Sequence, residues 1–407
     1  MARSDDAAED GSGDVRTRYL LATLTLCAGA VACTRDAGPD VWARLPEPVT
    51  NNAVAGIELD GRLMAYSFAG LHAGKTWRDV TADAYACDLE ARACREIAGL
   101  PDGIGRLASV AVTVRGQIYI FGGYTVAEDG SEASTPEVWR FDPASEAYTH
   151  ITDMPVPVDD TIALPFEDRY IYLVSGWHDT DNVDLVQVYD VADDRWFEAT
   201  PFPGAPVFGH AGAMGATGQI LVCGGTAVIP PEMEGGRRSF EATDACWAGQ
   251  VMENHRVIAW NGSAAVPSGP FYRGAAISHS DGAIFVGGTR NAYNYDGIGY
   301  DGEPSTPRGD LLVWTRAVDT TPILACAEGD VYSSAGARPR AWRVETTIND
   351  QPVMDIRGLV QGRQASEVFV LGGLDSRQAV SDLIVRIPDW THVRSFINPT
   401  PVCVHPR

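Results

Sequence analysis

Apolar residues along this chain fall in short runs that end in a glycine pair. A second, alternating run follows each of them, and the phrase closes on an aromatic residue and a proline-rich turn. The phrase is cleanest in QIYIFGG (117–123) with EVWRFDPASEAYTHITDMPVP (137–157), and in YIYLVSG (170–176) with LVQVYDVADDRWFEATPFP (185–203). Weaker copies are LMAYSFAG (63–70), QILVCGG (219–225), AIFVGG (283–288) and EVFVLGG (367–373). Apolar runs of this length between Gly and Pro predict β-strands. Past the N-terminus no long stretch spaces its apolar residues as a helix does, so helix should be scarce.

Cutting at the proline turns gives segments 50–101, 102–157, 158–203, 204–270, 271–352 and 353–389, a period of about 50 residues. Each segment predicts a four-stranded antiparallel sheet. On this phrase and period the chain resembles kelch propellers, and the resemblance covers nearly everything after residue 40. It implies an all-β, six-bladed propeller. The sixth segment reaches DLIVRIP (382–388) without the aromatic ending, whereas WARLPEP (42–48) supplies one near the start. An N-terminal strand around 41–48 is therefore expected to complete the last blade and close the ring, which removes two open sheet edges. Long inserts are expected after the glycine pairs at 226–245 and 289–309, where they would line a site or stay mobile.

Residues 19–32, YLLATLTLCAGAVA, form a short apolar run behind Arg16 and Arg18. They predict a signal peptide over 1–32, with translation starting at Met1 or at Val15. Ala30-Val31-Ala32-Cys33 resembles a bacterial lipobox, which implies lipid on Cys33, a linker over 33–40, the propeller over 41–389 and a tail over 390–407. The expected location is the periplasm or the outer membrane. In that oxidising compartment Cys87 with Cys94, and Cys223 with Cys246, are candidate disulfides, and elimination leaves Cys326 with Cys403.

The net charge is −23 and Lys75 is the single lysine, so no basic stripe exists to neutralise phosphates, and nucleic acid is not an expected partner. Arginine carries nearly all the positive charge. Counting back from each glycine pair, Arg106 lies 16 residues before Gly122 and Asp159 16 before Ser175. His210 and Arg273 lie 14 before Gly224 and Gly287, Arg357 15 before Gly372, and Asn51 or Asn52 serves the first blade. On inner strands these residues predict a polar, mostly cationic ring at the channel mouth. Such a ring suits an acidic or polyhydroxylated ligand; the competing reading is that it braces neighbouring blades.

Three loops are candidates to complete the pocket. They carry Trp177, His178 and Asp179; Tyr272, Arg290, Tyr293, Asn294 and Tyr295; and Glu232, Glu234, Arg237 and Arg238. His210, His178, Glu232 and Glu234 are the acid–base candidates. His178 and Asp179 would point apart on a regular strand and meet only across a bend. Neither a GxSxG elbow, a P-loop, HxH nor HExxH occurs, so no cofactor and no metal is expected.

The signal peptide, the six repeats, the WxxLP closure and the Tyr- and Asn-rich fifth-blade insert are similar to bacterial N-acetylneuraminate mutarotases. That resemblance implies ring opening and closing of an acidic sugar, with a glutamate after a glycine late in the fourth blade's second strand and an arginine some residues on. Here Gly224, Gly225 and Thr226 stand at that place, and only Arg237 or Arg238 could serve as the arginine. A monomeric, exported binding module for a small molecule or an envelope protein is the leading expectation, and a sialic-acid mutarotase the alternative.

Overall fold

The computed structural model describes residues 40–230, 239–267, 269–279, 282–315, 342–348, 351–364 and 367–388. Each apolar run is a strand, and the strands form six four-stranded antiparallel sheets. Blades 1 to 6 begin on inner strands Ala53–Leu59, Val110–Val114, Ile162–Phe166, Ala211–Met214, Tyr272–His279 and Val360–Gln361. The one helical element among the described residues is the 3-10 turn Trp77–Asp79.

Closure occurs where the missing aromatic ending predicted it. Asp40–Arg44 pairs antiparallel with Leu383–Ile387, Asp40 opposite Arg386 and Arg44 opposite Leu383. Trp42 packs its ring on Phe369 at 5.7 Å, while Arg386 reaches Asp40 at 2.8 Å. The first and last described strands thus share one blade. Most of the holding energy lies in the packed rings, since exposed ion pairs contribute about 0–1 kcal/mol.

The cores lie between blades. Successive strand residues face opposite ways, so each sheet is apolar on both faces and packs on two neighbours. Tyr66, Phe68 and Phe141 fill one interface, and Tyr119, Phe121 and Tyr189 the next. The glycine pairs exist for this packing. Gly122 and Gly123 have φ of 51° and 95°, and a Cβ on them would collide with Val158 O and Leu107 O of adjoining segments.

Both expected cysteine pairs are bonded. Cys87 stands opposite Cys94 across two strands of blade 1, and Cys223 opposite Cys246 in blade 4. The insert at 226–245 begins as a hairpin, Thr226–Ile229 with Ser239–Ala242. Blades 2 and 3 carry smaller hairpins at the same place, Tyr124–Val126 with Glu132–Ser134 and Trp177–His178 with Asp181–Asn182. The expected export signal over 1–32, Cys33, Glu232, Glu234, Arg237, Arg238, Cys326, Cys403 and the expected tail over 390–407 lie outside the described residues.

Candidate functional site

Six residues, one from each blade, meet at one end of the axis: Asn51, Ala108, Asp160, Gly209, Arg273 and Asp355. All six have left-handed backbones, with φ between 48° and 64°. Gly209 adopts this at no steric cost and Asn or Asp at little, but Ala108 and Arg273 are held there against their preference. What holds them is a closed circuit of backbone hydrogen bonds. Ala108 N donates to Asn51 O, Asp160 N to Ala108 O, Gly209 N to Asp160 O and Arg273 N to Gly209 O. Ile356 N then donates to Arg273 O, and Asn51 N closes the circuit on Asp355 O at 3.1 Å.

Side chains of this ring form a buried ion network. Arg273 Nη2 lies 2.6 Å from Asp160 Oδ2, and Arg357 Nη1 2.5 Å from Asp160 Oδ1. Arg357 Nη2 is 3.1 Å and Arg273 Nη1 3.5 Å from Asp355 Oδ1. Asn51 donates to Asp355 and accepts from Arg357 Nε at 3.2 Å. Two arginines face two aspartates, all four side chains at most 4% exposed, so the charges cancel in place. Burial works to lower the Arg273 pKa, but Asp160 and its neighbours outweigh it and hold the group well above its ordinary value.

This polar ring differs from the mostly cationic one predicted, in its members and in having no net charge. Asn51, Arg273 and Arg357 are in it; Asp160 and Asp355 replace the expected cationic excess. Asp159, one residue before the ring, is buried and accepts from Ser134 Oγ at 2.6 Å. Burial, reinforced by the Asp160 carboxylate, pushes its carboxyl well above the usual range. Arg106 stands apart, buried between blades 1 and 2 against Asp102 and Glu137. Its role there is the interblade brace.

Beyond the ring runs the central channel, a cavity of about 430 Å³ lined by the inner strands of all six blades. Those strands lie at the edges of their sheets, so their outer backbone N–H and C=O groups face no further strand. Thr113 Oγ1 donates to one such carbonyl, Gly56 O, at 2.9 Å. His210 lines the channel where it meets the ring. Its Nε2 donates to Val174 O at 2.8 Å, while Nδ1 is buried without a hydrogen-bond partner. Burial pulls its pKa down to about 4, so the ring is neutral and Nδ1 is an acceptor.

On the far side of the ring, the fifth-blade insert reaches blades 1, 2, 4 and 6. Tyr295 packs with Leu71, Leu107 and Tyr124, and Tyr300 stacks on Phe240 at 4.4 Å. Lys75 Nζ donates to Asp296 O at 2.7 Å and to Gln378 O at 2.9 Å. Tyr293 is buried edge-on to Tyr272, 5.1 Å between centroids, with its hydroxyl unpartnered. Arg290 lies 3.8 Å from Asp310. Trp177 packs against Phe208, and its indole donates to Asp179 O at 3.1 Å. A left-handed turn at Asp179 brings its carboxylate to 3.8 Å from His178 Nε2, while His178 Nδ1 donates to Pro157 O. The bend that brings these two residues together is present, outside the lining of the channel.

Residues 105–155 match the family model described as Kelch motif. The protein is a six-bladed propeller that carries a Kelch motif in its second blade. This propeller is similar to the solved structure of YjhT, with a TM-score of 0.61 and 16% identity over 85% of this chain and 97% of that one. The N-acetylneuraminate epimerase of Salmonella arizonae is 23% identical over 68% of this chain and 76% of its own length. Kelch-like protein 15 of Gallus gallus is 26% identical over 35% of the propeller chain, which spans about 33% of that relative's length. The Danio rerio protein of that name is 27% identical over a similar stretch.

Thr226 stands where the resemblance to mutarotases implies a glutamate. Its side chain is fully buried and Oγ1 has no partner. Among the described residues no group of three His, Cys, Asp or Glu is placed to hold a metal.

Proposed function

We propose that this kelch propeller is an exported binding protein whose central channel takes a slim, polyhydroxylated small molecule. The observation that carries the reading is the channel itself: about 430 Å³, walled by sheet edges and lined near the ring by His210, whose Nδ1 has no hydrogen-bond partner. Bare edges offer backbone donors and acceptors in alternation, a surface suited to hydroxyl groups, and pockets of this volume hold small ligands. Asp160 and Asp355 already neutralise Arg273 and Arg357, so a hydroxylated ligand is favoured over an acidic one. The two disulfides support an oxidising compartment, and a mature chain that retained residues 1–32 would contradict export.

A second reading, mutarotation of an acidic sugar, is favoured by the similarity to N-acetylneuraminate epimerase along most of the chain. Its acid would be the protonated Asp159 carboxyl on the insert side of the ring. Calorimetric titration with neutral polyols and with N-acetylneuraminate, together with proton NMR of anomer exchange, separates the two. Binding of a polyol that falls at least about fivefold in His210→Ala supports the channel reading. Accelerated anomer exchange that Asp159→Ala abolishes supports the enzyme. No heat from any polyol rejects the channel ligand.

A further inference from the structure

The interface between blades 4 and 5 differs from its neighbours. Between blades 3 and 4, Phe166, Tyr170, Tyr172 and Met214 fill the space where the inner hairpins turn. Between blades 4 and 5 the corresponding wall is small: Ala213, Ala248 and Ala283, with Trp314 behind them. These residues leave a separate cavity of about 240 Å³.

Its polar lining is made of amides and a hydroxyl: Thr217, Gln219, Gln250 and Asn261. Gln250 donates its amide hydrogens to Thr217 O at 2.7 Å and Val251 O at 3.1 Å, which leaves its carbonyl oxygen as the acceptor. Trp314 also lines the cavity, and its indole N–H is buried without a hydrogen-bond partner. An orphaned buried donor is unfavourable until something accepts from it. Among the described residues no Asp, Glu, Lys or Arg lines the cavity, so a charged ligand would find no counterion among them.

We propose that this cavity is a second binding site, distinct from the channel, for a single uncharged sugar ring. An aromatic residue beside side-chain amides meets the two demands of a pyranose, apolar C–H faces and a rim of hydroxyls that each donate and accept. The volume lies below that of pockets for drug-sized ligands and matches one ring rather than an oligosaccharide.

Saturation-transfer NMR of the full chain with glucose, galactose and N-acetylglucosamine tests the site. Transfer to at least one of them is expected, with affinity about fivefold weaker in Trp314→Phe, which keeps the ring and removes the donor. In the His210→Ala background, where channel binding is weakened, Ala248→Leu fills the cavity and should abolish the transfer that remains. Thermal unfolding of each variant confirms that the fold persists. Absence of transfer from all three sugars overturns the proposal, as does transfer that survives both Trp314→Phe and Ala248→Leu in the His210→Ala background.

Discussion

The two ends of the propeller axis arise from the same six inner strands, yet they present different chemistry to it. At the ring end, left-handed residues turn side chains inward, and Asp160, Arg273, Asp355 and Arg357 from blades 3, 5 and 6 lock together. Along the channel the strands are extended, so side chains turn sideways into the blade interfaces and the backbone edge faces the axis. Symmetry of the backbone circuit therefore coexists with asymmetry of the side chains that fill it. Changes at the ring should act on the fold, and changes in the channel on what it binds.

The largest effect that would break this contrast is at Asp160. Removing its carboxylate in Asp160→Ala strands Arg273 and Arg357, each at most 4% exposed, with too little opposite charge. Breaking a buried pair from one side typically costs about 3–5 kcal/mol. The channel counterpart, Thr113→Val, gives up one hydrogen bond to Gly56 O and should cost about 1 kcal/mol. Urea unfolding of both variants reads the difference directly. If Asp160→Ala were no less stable than Thr113→Val, the ring would not be the structural end of the axis.

Much of the ring's existence, and little of its membership, was legible in the sequence. Blade count, closure by Trp42 and both cysteine pairs followed from alternation and glycine spacing, because these are set by contacts between strand neighbours. Counting back from the glycine pairs found Arg273 and Arg357 but missed Asp160, Asp355 and Ala108. The inner hairpins are the reason: Leu59 and Arg62 are joined by two residues, whereas Met214 and Gln219 are joined by four, so a fixed count drifts along the strand. Cancellation of charge was also hidden, since Asp160 and Arg273 lie 113 positions apart and only the closed circuit brings them together. The cavity beside Trp314 had no signal, because small residues at an interface look like ordinary alanines and glycines until the facing blade is known.

Next in size is Asp159, which sharpens the contrast by showing that the ring end already carries as much negative charge as it can hold. Burial and the adjacent Asp160 raise its pKa in the folded chain. The folded state therefore keeps a proton that the unfolded chain releases near pH 3.9, and stability falls as pH rises above that value. Asp159→Asn has no proton to lose and can still accept from Ser134. It should be more stable than the parent at pH 7, a gain that vanishes below about pH 4. Thermal unfolding at the two pH values checks this; a variant less stable at pH 7 would mean that the carboxylate is ionised and needed.

The smallest expected effect lies at the rim of the ring end. His72 donates from Nδ1 to Pro48 O at 2.9 Å and holds Asp83 with Nε2 at 3.0 Å, with Glu47 at 3.9 Å. Burial works to lower its pKa, but the hydrogen bonds to Asp83 and Pro48 outweigh it and the net shift is upward. Burial likewise tends to raise Asp83, and its bonds from His72 and Thr81 bring it below its ordinary value. The histidine's contribution is complete below its unfolded pKa of about 6.5 and is lost as pH rises through its raised folded value. The aspartate's is present above about 3.9 and is lost as pH falls through its lowered one. Between those limits the clasp is at full strength, yet with Asp83 half exposed it contributes less than about 1 kcal/mol. His72→Gln should therefore lower the melting temperature slightly at pH 5.5 and by less at pH 8.5, and an equal loss at both pH values would show that the clasp works without its charge.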